Sequence, residues 1–311
     1  MKIVSLFSGA GGLDLGLVHA GNEVIWANDN DSNAVATYKR NIGDHIICDD
    51  IQNISMADIP QADVVVGGFP CQGFSLANMR RSIDDERNIL YKFFYSIVKE
   101  KQPKFFIAEN VKGILSLGKG EVIKNIISDF EQAGYRTDLH LVNMADYGVP
   151  QTRQRVLIIG QRNGISTDFL FRFPSPTHCK NSTETPWVSI KNAIDHFPDP
   201  DEPNNCLNHE YSSYKVEFRN FTGHRQTDPN KPSPTILARG NGKGGVCAIP
   251  HYNGVRRLTI RESASVQTFP EDFEFIGSKG ACYRQIGNAV PVHFAFLLGQ
   301  ELVRIEQEDL Q

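Results

Sequence analysis

No stretch of this 311-residue chain approaches the about eighteen uninterrupted apolar residues of a membrane span, so no membrane partner is expected. Its six cysteines, at 48, 71, 179, 206, 247 and 282, include no C-x-x-C pair. That removes the common zinc spacings, and no metal is expected. The only leader-like stretch, MKIVSLFSGAGGLDLG, is broken by Ser5, Ser8, Gly9 and Asp14 before it reaches signal length. A cytoplasmic protein without structural disulfides is the expectation. Internal repeats and low-complexity tracts are missing as well. What is present, 40% apolar and 22% charged residues, is the composition of one large globular domain, or of a large and a small one.

The formal charge of −4 conceals an asymmetry. Between Gln151 and Ile260 there are 14 Lys and Arg against 9 Asp and Glu, a net of +5, so the remainder carries −9. A basic segment in an acidic chain suits a polyanion partner; chance clustering fits the same count.

The first half alternates two textures. KIVSLF, EVIWA, ADVVVGG and KFFIAE are apolar runs that predict buried parallel strands. LDLGLVHAG, SNAVATYKRN, RNILYKFFYSIVKEKQ and GEVIKNIISDFEQAG have helical spacing, and further strands are expected around DLHLVNM and RVLIIGQR. A βαβ series of this kind predicts a doubly wound α/β sheet over residues 1–162. From 163 to 255 the sequence is rich in Pro, Asn, Asp and Ser and loses its periodicity, which predicts a smaller, irregular domain. Residues 256–311 return to the first domain and close with a helix, PVHFAFLLGQELVRIEQ, whose Phe294, Leu297, Leu298, Val303 and Ile305 suit packing on the sheet.

Several candidate chemical groups fall at predicted strand ends. The first strand runs into FSGAGGLDLG, a glycine-rich turn opening a helix, where a backbone can approach a ligand closely. The dinucleotide fingerprint requires a third glycine at 14, where Asp14 stands. The next strand ends at Asp29, and a short one precedes Asp50 and Ile51. Singly, such acids are ordinary caps; together with the glycine turn they suit a ligand with an adenosine half. The fourth strand leads to FPCQ and the fifth to Glu109, so a thiol, Cys71, and a carboxylate can face one substrate. Strand alternation would place Arg153 and Arg155 of QTRQR on one face, for an anion or a carbonyl oxygen.

In this order FSGAGG, PCQGFS, ENV, QTRQR, RRLTIRESASVQTFP and QIGNAVPV resemble six motifs of the bacterial-type DNA (cytosine-5) methyltransferases, the restriction-modification kind. The resemblance implies a Rossmann-like S-adenosylmethionine-dependent sheet with a target-recognition domain between QTRQR and RRLTIRE. It implies double-stranded DNA as partner, S-adenosylhomocysteine as product, and a nucleophilic Cys71 that adds to carbon 6 of a flipped-out cytosine. Glu109 would act at ring nitrogen 3, and Arg155, supported by Arg153, at the base oxygen and adjacent phosphate. Matching cofactor positions are Phe7, Gly9, Ala10, Gly11, Gly12, Asp29, Asn30, Asp50, Ile51, Pro70, Leu90, Asn288 and Ala289. Relatives often carry a large apolar residue where Asn30 stands and a serine where Ala289 stands. The chain is expected to act as a monomer, with a cognate restriction endonuclease as its possible companion.

For DNA, Ser75 lies in the catalytic motif, and Arg80 and Arg81 in the following polar stretch suit a backbone-gripping loop or an ordinary solvated charge run. Arg225, Gln226, Arg239, Asn241 and Lys243 have the side chains that read guanine and adenine edges, and Thr235-Ile236 resembles a pair found in target regions. A transfer-RNA methyltransferase of the same family would carry Cys-Phe-Thr, and no cysteine here precedes Phe-Thr. A catalytically inactive DNA-binding member would have lost Cys71 or Glu109, and both remain. A nicotinamide oxidoreductase is the alternative at the level of fold, and it leaves PCQ without a role.

Overall fold

The computed structural model describes residues 1–69, 89–165, 170–212, 227–238, 249–254 and 256–309. The apolar runs form strands β1 (Lys2–Leu6), β2 (Glu23–Asp29), β3 (Ile46–Cys48), β4 (Val64–Gly67) and β5 (Phe105–Val111). All five run parallel to one another, as strands covered on both faces usually do. Between them run α1 (Gly12–His19), α2 (Ser32–Asn41) and α3 (Ile89–Lys101), with α4 (Glu121–Gln132) following β5. Two further strands, β6 (Tyr135–Asn143) and β8 (Gln154–Arg162), complete a seven-stranded sheet of order β3-β2-β1-β4-β5-β8-β6. Strand β8 enters between β5 and β6 and is antiparallel to both. Its Gly160 lies where a Cβ would overlap the Phe106 ring, so the glycine in RVLIIGQR makes room for an aromatic.

Alternation along the strands divides the core. Ile3, Val64, Val66, Phe105, Ile107, Leu157 and Ile159 face one side; Val4, Leu6, Val65, Phe106, Ala108, Val156 and Ile158 face the other, against α3 and α4. The first side is covered by α1 and by α8 (Val292–Asp309), whose Phe294, Leu298, Leu302 and Ile305 are buried. The sequence predicted that α8 would lie on the sheet, but it also packs tightly on α1. A Cβ on Gly16 would overlap Ala295 and the Val292 carbonyl, and one on Gly299 would meet Ala20 Cβ at 2.7 Å.

A third apolar cluster joins distant parts of the chain: Ala10 and Leu15 of the first turn and helix, Ile190 and Ile194 of α5 (Ile190–Ile194), Ile236, and residues from Leu258 to Val292. The motif RRLTIRE organises it. Thr259 and Glu262 form a reciprocal capping box at the start of α6 (Ile260–Val266). Buried Glu262 accepts both Arg256 guanidinium donors at 2.7 Å. Arg261 donates to the carbonyls of Leu207, Pro270 and Phe273, and Arg257 lies 3.7 Å over the Tyr283 ring of α7 (Lys279–Asn288). These buried cations bind chain segments together through paired charges and carbonyls, the form in which burial of charge is tolerated. No single helix among the described residues is long and apolar enough to cross a membrane.

Candidate active site

Strand register lines up the groups at the carboxyl edge of the sheet. Leu6 stands beside Asn28 and Gly67, and Gly67 beside Ala108. The following residues, Phe7, Asp29, Gly68 and Glu109, therefore form a row along that edge.

The glycine turn occupies one half of the row. Phe7 and Gly9 both have φ near 56° and Gly11, the cap of α1, has φ 86°, left-handed conformations that favour glycine and are strained for Phe7. A Cβ on Gly9 would meet nothing within 4 Å, whereas one on Gly11 would overlap Ile42 and one on Gly12 would meet Val290 O at 2.5 Å. Gly11 and Gly12 thus let α1 dock, and Gly9 leaves an open cradle. Asp29 fixes this turn: Gly9 N donates to its Oδ2 and Asp31 N to its Oδ1, each at 2.8 Å. Burial raises the Asp29 carboxyl above its usual range despite those hydrogen bonds. Asp50 accepts from Gln52 N at 3.0 Å and caps the short turn that buries Ile51. Asn30 and Asn288 are exposed, Leu90 is half-buried, and Ala10 and Ala289 are buried, Ala289 lying against Gly12. An open glycine cradle with acids on either side fits the ribose and adenine of S-adenosylmethionine.

Glu109 occupies the other half. It is 9% exposed, and Arg155 Nε lies 2.8 Å from its Oε1, off the N–H direction, so the contact is an ion pair rather than an aligned hydrogen bond. A Cβ on Gly68 would come within 3.1 Å of Glu109 Oε2, so that glycine keeps the β4 exit close to the carboxylate. Asn110, which sequence reasoning passed over, donates from Nδ2 to Phe69 O at 3.0 Å, and its Oδ1 accepts from Val111 N. It holds the chain directly before Pro70 and Cys71; its place in ENV was the available signal. Pro70, Cys71, Ser75, Arg80, Arg81, Arg225, Gln226, Arg239, Asn241 and Lys243 lie outside the described residues.

Arg153 departs from expectation. It falls between β7 (Gln151–Thr152) and β8, and this break undoes the alternation that would have set it beside Arg155. It is 1% exposed and donates to Ile236 O at 3.1 Å, Gly287 O at 3.1 Å and Ala289 O at 3.0 Å. Desolvation holds its guanidinium well below the usual range, at about 9. Gln151 completes the joint, accepting from Ile236 N at 2.8 Å and donating to Gln267, which in turn donates to Ile286 O and Ala289 O. Strand β9 (Ser233–Pro234) pairs with β7, and the Thr235 hydroxyl donates to Thr152 O at 2.7 Å. In this structure Arg153 and Thr235 anchor backbone.

Comparison with known proteins agrees with this arrangement. The family model described as C-5 cytosine-specific DNA methylase matches residues 1–304. The chain is 40% identical over 335 residues to the type II methyltransferase M.NgoFVII of Neisseria gonorrhoeae, covering 100% of this chain and 88% of that protein. It is 39% identical over 328 residues to M.FnuDI of Fusobacterium nucleatum, covering 97% and 94%. The solved S. pombe Dnmt2 methyltransferase, 20% identical, superposes with a TM-score of 0.70 over 100% of this chain and 99% of that one, a likeness of fold alone. Six motifs in unpermuted order, a methyltransferase-type sheet and full-length relatives converge on one conclusion: the chain belongs to the C-5 cytosine-specific DNA methylase family and is a DNA (cytosine-5) methyltransferase.

Proposed function

We propose that this enzyme methylates cytosine within one short sequence of double-stranded DNA, through a covalent Cys71 adduct on a flipped-out base, and that it protects host DNA in a restriction-modification system. The observation that carries the reading is the Glu109–Arg155 pair on the sheet edge, with Asn110 fixing the chain that leads directly to Cys71. The type II naming of M.NgoFVII and M.FnuDI supports the restriction-modification setting. A monomer with an endonuclease encoded nearby completes the proposal.

Phe7, the turn from Gly9 to Gly12, Asp29, Asn30, Asp50, Ile51, Pro70, Leu90, Asn288 and Ala289 would hold S-adenosylmethionine. Bound there, it supplies a sulfonium methyl group for carbon 5 of the activated ring and leaves as S-adenosylhomocysteine. The Cys71 thiolate forms a bond to carbon 6, turning the ring into an enamine. Glu109 holds a proton at nitrogen 3, so negative charge does not build up there. Arg155 keeps Glu109 in place and faces the base oxygen. A base then takes the proton from carbon 5, the 5,6 double bond re-forms, and the sulfur–carbon bond breaks to return Cys71 as thiolate. A base inside a duplex cannot be reached this way, which is why flipping is part of the proposal. Residues 163–255 would form the target-recognition domain, with Arg80 and Arg81 gripping the backbone. Arg225, Gln226, Arg239, Asn241 and Lys243 would lie at base edges or phosphates, and Thr235 would anchor them.

DNA carrying 5-fluorocytosine, mixed with protein and cofactor, should give a denaturant-resistant adduct that Cys71→Ser abolishes. Bisulfite sequencing of plasmid from expressing cells should place every methylated cytosine in one short context. Methylation without any adduct would refute the covalent route, and methylation without context would refute sequence specificity.

A further inference from the structure

Beneath the glycine turn lies a charged group that the proposed reaction leaves without a role. Asp14, in the first turn of α1, is fully buried. Its Oδ1 accepts from Ser5 Oγ at 2.7 Å and its Oδ2 from Tyr38 OH at 2.9 Å, while Ser8 Oγ donates to Ser5 Oγ at 2.9 Å. All these partners are neutral. Among the described residues no lysine, arginine or histidine forms an ion pair with Asp14 or with Asp29, whose carboxylate is held by backbone N–H groups; the nearby Arg284 pairs with Asp31. Among the described residues, one fully buried carboxylate, Asp14, and one half-buried, Asp29, therefore flank residues 7–12 without a counter-ion. Burial raises the Asp14 carboxyl to about 6, which leaves it ionised at neutral pH.

This reverses the usual electrostatics of such a turn. A glycine-rich loop opening a helix presents N–H groups and the positive end of the helix dipole, a site for an anion such as a cofactor diphosphate. With a carboxylate in the first helical turn and another beside the loop, a diphosphate would be repelled, and a ligand bearing a positive centre would supply the missing counter-charge. The sulfonium of S-adenosylmethionine is such a centre; the product, having lost the methyl group, is neutral at sulfur.

We propose that Asp14 is a charge-selecting positioning residue: with Asp29 it makes the glycine turn favour a cationic cofactor over its neutral demethylated product. The proposal rests on the cofactor placement above. It gives methyl transfer a second consequence, since the reaction removes the charge that held the cofactor and so weakens the hold on product.

Calorimetric titration of wild type and Asp14→Asn with S-adenosylmethionine, sinefungin (an unreactive amine-bearing analogue) and S-adenosylhomocysteine tests this. Asp14→Asn should weaken the two cationic ligands on the order of tenfold and the neutral product by less than about threefold, as expected for loss of one unit charge in a partly desolvated site. Equal losses for all three overturn charge selection, because a purely structural role in holding Ser5 and Tyr38 affects every ligand alike. If the wild type binds none of the three, the cofactor placement itself has failed. Should Asp14→Asn not fold, the wild-type ratio of sinefungin to product affinity is measured from pH 8 to pH 5. The titratable groups facing Asp14 are Asp29 and Tyr38, with His45 behind Tyr38. The ratio should fall as the carboxylates take up protons; a flat ratio overturns the proposal.

Discussion

Replacing Arg153 with methionine separates the anchoring role seen in the structure from the catalytic one expected from sequence. The side chain is fully buried, and its removal leaves the Ile236 and Gly287 carbonyls without their donor; Ala289 O keeps a second donor in Gln267. Each buried acceptor left unmet costs about 1–3 kcal/mol. Methionine also removes a strongly desolvated charge, which offsets part of that loss, and its chain fills much of the arginine stem's volume. The net expectation is a destabilisation of about 2 kcal/mol, which for a chain of this length is about 3 °C in melting temperature. Because Ile236 and Ala289 are released together, affinities for DNA and for S-adenosylhomocysteine should both weaken, while the single-turnover rate at saturation changes little. Arg155→Met should show the opposite pattern: unchanged melting and a rate lower by roughly a hundredfold or more. Differential scanning calorimetry with single-turnover methylation resolves the two. Unaltered melting of Arg153→Met with a selective loss of rate would mean that Arg153 acts on the base after all.

Three further outcomes are expected. Glu109→Gln preserves shape but removes the charge facing Arg155 and the group that holds a proton at the base; methylation should slow by about 10²–10⁴-fold with cofactor affinity unchanged, and a near-normal rate would remove Glu109 from the mechanism. Asp14, raised by burial from 3.8 to about 6, contributes stability that is complete below the unfolded value and lost as pH rises through about 6. Urea denaturation should accordingly find Asp14→Asn more stable than wild type at pH 8, by up to about 3 kcal/mol, with the advantage gone near pH 4; a constant difference across that range contradicts the argument. Gly16→Ala should lower the denaturation midpoint, although alanine's helix propensity is better by about 1 kcal/mol, because its methyl would overlap Ala295 and the Val292 carbonyl on α8; a higher midpoint would show the seam to be loose.

The legible part of the fold was the part written in uninterrupted apolar runs. The runs at 64–67 and 105–108, short, apolar and β-branched or aromatic, were expected as strands covered on both sides, and they are. The apolar face of α8 was equally plain, but periodicity shows which side of a helix is buried and not what lies against it; the seam with α1 depends on Gly16 and Gly299, which carry no hydrophobic signal. Arg153 was misplaced because alternation assumes an unbroken strand, and the break at that residue is a matter of tertiary pairing between β7 and β9. The burial of Arg256, Arg257 and Arg261 was not legible, since charge in a sequence gives no hint of the buried carboxylate or carbonyls awaiting it. Asp14 was read as a missing glycine, and its Ser5 and Tyr38 donors became apparent only once β1 and α2 were side by side.

The seam between α1 and α8 has a consequence for the order in which the enzyme is made. Asn22 Nδ2 donates to Gly299 O across 277 residues of chain, and Gly12 rests on Val290. While the ribosome is still translating the middle of the message, Leu13, Leu17 and the sheet residues that share their cluster lack the cover that Phe294, Leu298, Leu302 and Ile305 of α8 supply. Contacts of such separation form late and slowly, so the early chain must remain without its lid for most of synthesis. The cofactor turn is consequently among the last features to be finished, and no nascent fragment lacking α8 has the complete machinery to mark DNA.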